Sequence, residues 1–220
     1  MVEADEDERR IRIAELILGL RRAGVTDQRV VAAIEATPRD LFVPAESQPH
    51  SYAAERALPI DCGQTISAPA IVGIMTAALD VGERDRVLEV GTGSGYQAAV
   101  LARLARRVYT MDRFRTLVEA AESRFRSLRI GNVTTLAGDG MLGWPEQAPF
   151  DRIIVTAAGE EVPPALKKQV KVGGVIVAPI GPADGVQKLV RLERTEDAFT
   201  ERALVDVRFV PLIPGKAARL

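Results

Sequence analysis

The chain has 220 residues, 47% hydrophobic and 27% charged, and is long enough to hold a core without disulfides or metal. Its 29 Lys and Arg residues against 30 Asp and Glu leave a net charge of −1, which excludes a global basic field for nucleic acid or an anionic membrane. One cysteine, Cys62, and one histidine, His50, exclude an internal disulfide, a multi-cysteine zinc site and any two-His metal site, and leave a His-dependent triad resting on one residue.

In chain order, the first ten residues, MVEADEDERR, are charged and lack the apolar core of a secretory signal. Ile13, Ile17 and Leu20 then recur at helical spacing, with Arg21, Arg22 and Gly24 as stop signals. A second short helix is expected from Thr26 as cap through Val30, Val31 and Ile34, ending before Pro38. Residues 38–63 hold Pro38, Pro44, Pro49 and Pro59 with little periodicity and read as an irregular connector. The stretch around Ile71–Leu79 is the longest apolar run, far short of the roughly 20 residues that span a bilayer, so a cytoplasmic protein is the expectation.

From about residue 68 the rhythm alternates. A helix with Ile71, Val72, Met75 and Leu79 leads to a buried strand Arg86–Val90, a glycine loop and a helix to about Leu104. A strand Arg107–Met111, a helix over Leu117–Leu128 and strands Val133–Ala137, Arg152–Thr156 and Gly174–Ala178 follow, with a helix near Pro164–Val170. Such alternation implies right-handed βαβ units and a parallel sheet. Lys188–Glu193 and Leu204–Val210 read as consecutive antiparallel strands at the sheet edge. The expectation is one α/β domain over residues 1–220, with an N-terminal helical cap and covering segment to about residue 67.

The segment Val87-Leu88-Glu89-Val90-Gly91-Thr92-Gly93-Ser94-Gly95 carries the most information. A strand runs into glycines that permit a tight turn, and a helix N-terminus with free N–H groups follows. A dinucleotide loop spaces its last glycine one residue further on, leaving room for a pyrophosphate. The tighter spacing here, with Glu89 two residues before Gly91, suits a ligand without phosphates and with a cationic end. Asp112 ends the next strand, where an acidic side chain can accept hydrogen bonds from both ribose hydroxyls. The loop resembles that of class I S-adenosylmethionine methyltransferases, which implies a Rossmann-like, mostly parallel twisted sheet with helices on both faces. The resemblance also implies that Asp139 and Gly140, after the third strand, contact the adenine.

Absences narrow the reaction. No Asn/Asp-Pro-Pro-Tyr/Phe follows the fourth strand, where Thr156-Ala157-Ala158 stands instead, and no Pro-Cys nucleophile occurs. Ten aromatics in all leave no base-stacking patch. Leu58-Pro59-Ile60-Asp61-Cys62-Gly63-Gln64-Thr65-Ile66-Ser67-Ala68-Pro69 resembles the L-P-I-G-x-G-Q-T-I-S-x-P signature of protein-L-isoaspartate O-methyltransferases. The likeness continues through Pro38–Pro44, Glu89–Ala99, Asp151–Ala158, Gly173-Gly174, Pro179–Gly181 and Arg208–Leu212.

That resemblance implies methyl transfer from S-adenosylmethionine to the α-carboxylate of an isoaspartyl residue, and to some D-aspartyl residues, leaving S-adenosylhomocysteine. The methyl ester then closes to a succinimide that reopens partly as normal aspartate. It implies Ser67 as the active-site serine, with Gln64, Thr65 and Ile66 over the cofactor. Glu89, Gly91, Thr92, Gly93, Gly95 and Asp112 would form the rest of the cofactor site, and Val210 would contact substrate. A compatible reading makes Ser67 the cap of the helix opening at Ala68-Pro69. The expected partners are isoaspartyl peptides and proteins, bound by a monomer without metal, nucleic acid or membrane. Two residues depart from the signature: Asp61 for glycine, beside the expected carboxylate site, and Glu55 for aspartate. They leave open a methyltransferase for another carboxylate or small molecule; the third alternative is a cofactor-binding protein without turnover. His50 and Cys62 carry no assigned role, Cys62 reading as a small apolar filler.

Overall fold

Helices α1 (Val2–Arg22) and α2 (Gln28–Glu35) open the computed structural model, which describes residues 2–217, with the backbone alone for residues 2–6. Leu16 and Leu20, one turn apart, bury the inner side of α1. The cap of α2 is Asp27 rather than Thr26: its carboxylate accepts the backbone N–H of Arg29 at 2.9 Å. The connector is more ordered than its composition suggests. It holds short 3₁₀ turns at Arg39–Phe42, Ala45–His50 and Asp61–Gly63. A two-stranded antiparallel hairpin, β1 (Leu58–Pro59) and β2 (Thr65–Ile66), is paired Leu58 to Ile66. Two-residue strands are too short for alternation to register.

Helix α3 (Pro69–Leu79) has proline at its first position, and Ala68 is its cap residue, without a side-chain cap bond. Ser67 therefore does not cap α3; it lies one residue too early. The rest follows as β3 (Arg86–Val90), α4 (Tyr96–Leu101), β4 (Arg107–Asp112), α5 (Arg115–Ser127) and β5 (Val133–Ala137). Then come β6 (Phe150–Val155), α6 (Pro164–Gln169), β7 (Val170–Ile180), β8 (Gln187–Arg194) and β9 (Phe199–Val207). Helix α4 stops at Leu101, short of Leu104. Strand β9 starts and ends earlier than expected, so Val210 lies beyond it.

The seven long strands form one sheet in the order β5-β4-β3-β6-β7-β8-β9. Pairings from β5 to β7 are parallel, and β7–β8–β9 are antiparallel. Alternation sorts the side chains. Val87, Val108, Ile154 and Val177 join Leu16, Ile34, Met75 and Phe125 of the helices on one face. Leu88, Met111, Ile153 and Val155 join Trp144 and Leu166 on the other. Strand order reverses at β3, which pairs with β4 on one side and β6 on the other. That reversal opens a crevice beyond the carboxyl ends of the strands.

Candidate active site

The crevice holds a cleft of about 570 Å³, including solvent at its mouth. Its floor is the loop after β3. The N–H groups of Gly91 and Thr92 both donate to the carbonyl of Met111, at 2.8 and 3.1 Å, which fastens the loop to β4. Gly91 has φ +105°, and a Cβ there would lie 2.2 Å from Thr156 Oγ1, so both conformation and space require glycine. Asp112 closes the neighbouring side. Its Oδ2 accepts the N–H of Gly93 at 2.8 Å and its Oδ1 accepts that of Phe114 at 3.0 Å. Burial holds this carboxyl above its ordinary pKa, against those two backbone donors, which favour the ionised form. Each oxygen keeps a further lone pair for a ligand hydroxyl.

Gln64 and Thr65 of the hairpin segment, Gly140 after β5, and Val210 through Ile213 complete the wall. The last stretch is tied to the end of β6: Ala158 N–H donates to Val210 O at 2.8 Å, and Leu212 N–H donates to Ala158 O at 2.7 Å. A second recess shares Thr65, Gly91, Gly93 and Thr156 with the cleft and adds Ile66, Ser67, Thr92 and Tyr96. The Ser67 hydroxyl has no hydrogen-bond partner among the described residues, while its carbonyl accepts from Arg39 Nη2 at 2.7 Å. Among the described residues no His, Cys or Lys lines either recess, and Asp112 is the one lining carboxylate. The pair of recesses can hold a hydroxyl-bearing ligand beside an acceptor whose nucleophile needs no base.

Ten expected residues thus gather at the two recesses: Gln64, Thr65, Ile66, Ser67, Gly91, Thr92, Gly93, Asp112, Gly140 and Val210. Three do not line them. Glu89 is completely buried beneath the loop, where register sets it beside Thr110; that hydroxyl donates to its Oε2 at 2.5 Å, and Oε1 has no partner. Desolvation raises its pKa to about 8 despite the Thr110 bond, with the Asp112 charge adding to the rise. Gly95 serves packing, for a Cβ there would meet Phe125 at 2.9 Å and Ala121 at 3.0 Å. Asp139 caps its own turn through Met141 N–H at 2.9 Å.

Thr156, Phe114 and Arg113 line the cleft without having been foreseen; only their places just beyond β6 and β4 could have signalled them. Asp61 is exposed, is in the lining of neither recess, and its charge acts on Arg124. Cys62 is no apolar filler. It takes a left-handed conformation, φ 61°, with its sulfur 3.4 Å from Thr116 Oγ1.

Comparison with known proteins agrees across the chain. The model of the protein-L-isoaspartate(D-aspartate) O-methyltransferase family matches residues 11–217. A protein-L-isoaspartate O-methyltransferase of Parvibaculum lavamentivorans is 56% identical over 217 residues, 98% of this chain and 97% of that protein. A solved structure titled protein-L-isoaspartate O-methyltransferase superposes with TM-score 0.81 at 27% identity, over 90% of this chain and 65% of that one. A Plasmodium falciparum structure, titled a putative enzyme of the same name in complex with S-adenosyl-L-homocysteine, superposes with TM-score 0.78 at 24% identity. It covers 90% of this chain and 97% of its own, and its likeness bears on the fold.

Proposed function

The chain belongs to the protein-L-isoaspartate(D-aspartate) O-methyltransferase family, and from that membership we propose that it methylates the free α-carboxylate of isoaspartyl residues in damaged proteins. The observation that carries this reading is the pair of adjoining recesses, one walled by Asp112 and one by Ser67, with no His, Cys or Lys in either among the described residues.

The residues fit S-adenosylmethionine. Gly91 and Gly93 expose backbone rather than side chains along the cleft, and Asp112 presents spare lone pairs to it. Asp112 would accept the ribose hydroxyls, with Gly140 at the adenine end and Gln64, Thr65 and Ile66 over the ligand. When bound, the cofactor supplies a sulfonium methyl group, whose carbon–sulfur bond breaks as the substrate carboxylate oxygen takes the methyl. Ser67 would orient that carboxylate through its free hydroxyl, and Val210 would contact the peptide backbone. A carboxylic acid with pKa near 4 is already ionised at neutral pH, so no side chain need take its proton. Positioning can supply on the order of 7–11 kcal/mol. Residues 1–67 would act as cap and cover, and the protein would work as a monomer. No described helix is long and apolar enough to cross a membrane.

Radiolabelled methyl transfer to an isoaspartyl peptide tests the activity, with the normal aspartyl peptide as control. Labelling of the isoaspartyl peptide alone is expected; equal labelling, or none, would overturn the reading. Ser67→Asp tests the assignment of the serine. Since Ser67 caps nothing, the variant should keep its melting temperature and lose activity. Like charges 4 Å apart repel by about 4 kcal/mol at an effective dielectric of 20. A folded variant with wild-type turnover would remove Ser67 from the site.

A further inference from the structure

Arg39 is fully buried in the 3₁₀ turn that precedes the hairpin segment. One of its nitrogens, Nη2, donates to the Ser67 carbonyl at 2.7 Å, and its guanidinium carbon lies 4.7 Å from the centre of the Tyr96 ring. Nε and Nη1 have no acceptor, and no carboxylate pairs with the group among the described residues. The buried Tyr96 hydroxyl is close enough to feel the cation but makes no hydrogen bond of ordinary geometry. Desolvation lowers the Arg39 pKa to about 10, which still leaves it charged at neutral pH. An unpaired buried ion is a strongly unfavourable way to fill space, and apolar side chains of similar volume usually do it as well or better. Stability does not account for this charge.

Its position does. Ser67 and Tyr96 both line the second recess, and Arg39 touches both from behind. We propose that Arg39 is a positioning residue for the substrate α-carboxylate: it fixes the Ser67 peptide group and lends the recess a buried positive charge whose counter-ion arrives with the substrate. The inference rests on the placement of that carboxylate beside Ser67. It explains how a recess that adjoins the cleft walled by Asp112 can still favour an anion. Because the charge is buried, the preference should survive salt that would screen a surface pair.

Calorimetry on the S-adenosylhomocysteine-bound enzyme would compare an isoaspartyl peptide with the same peptide carrying an α-carboxamide. The wild type should bind the acid more tightly than the amide; equal affinities overturn the proposal without any variant. Arg39→Gln and Arg39→Met should weaken the acid on the order of ten- to a hundredfold and leave the amide unchanged. Equal loss for both peptides would mean a merely structural role and overturn it. Should the neutral variants fail to fold, Arg39→Lys decides: a retained acid preference supports the proposal, and its disappearance overturns it. Ser67→Asp separates the two readings. If it abolishes acid binding while the Arg39 variants keep it, the serine assignment stands and Arg39 falls; if it leaves acid binding intact, the placement itself is wrong.

Discussion

Asp112 and Glu89 lie within one loop of each other and do different work. Asp112 faces the cleft, so Asp112→Ala should weaken S-adenosylhomocysteine binding by about 1.5–3 kcal/mol for each charge-assisted hydrogen bond lost; unchanged affinity by calorimetry would remove it from the site. Glu89 is sealed in, and its carboxyl keeps a proton up to about pH 8 in the folded chain against an ordinary value of 4.5. The folded state therefore binds a proton that the unfolded chain has lost between those values. The stability this contributes is complete below about pH 4.5, declines as pH rises toward 8 and then levels. Melting temperatures from pH 5 to 9 should fall more steeply for the wild type than for Glu89→Gln, and parallel curves would refute the buried-proton account. The reading of Arg86–Val90 as a buried strand already placed Glu89 inside it; what lay opposite did not show.

Among the elements, the loop between β3 and α4 bears the most. Its glycines look alike in a motif and differ in space. Gly95 has φ +89° and lies against Phe125 and Ala121 of α5, so Gly95→Ala should destabilise the fold on the order of 2 kcal/mol with little change in cofactor affinity. Gly91→Ala should lose affinity too, since its Cβ would displace Thr156 in the cleft floor. Denaturant titration beside calorimetry distinguishes the pair, and identical profiles would refute the division. Helix α5 also secures the cover: Arg124 donates to Leu41 O at 3.1 Å and to Ser94 O at 3.2 Å, joining connector, helix and loop. Asp61 lies in the field of this arginine, so the departure from the glycine of the signature has a local charge partner.

For the whole molecule, ligand binding and folding are linked because the cleft is assembled from distant parts of the chain: residues 64–65, 90–91, 93, 111–114, 140, 156–157 and 210–213. A ligand at about a hundred times its Kd adds about 2.7 kcal/mol. For a chain of this size that amounts to about 5–10 °C in Tm. S-adenosylhomocysteine should produce such a shift, and Asp112→Ala should shrink it. A saturating ligand without any shift would mean that the cleft is not its site.

The sequence by itself determined the alternating α/β plan, the parallel strands, the glycine loop and Asp112, because period and spacing are local and survive without neighbours. It also carried the family likeness in the Gln64–Ser67 segment. The order of β3 among its neighbours, the burial of Glu89, the short β1–β2 hairpin and the Ala68 cap were decided only in three dimensions. So was the meeting of Arg39 with Ser67, 28 residues apart. Burial and hydrogen bonding depend on which segments pack together, and the unpaired Arg39 charge has meaning only against the recess that Ser67 and Tyr96 enclose.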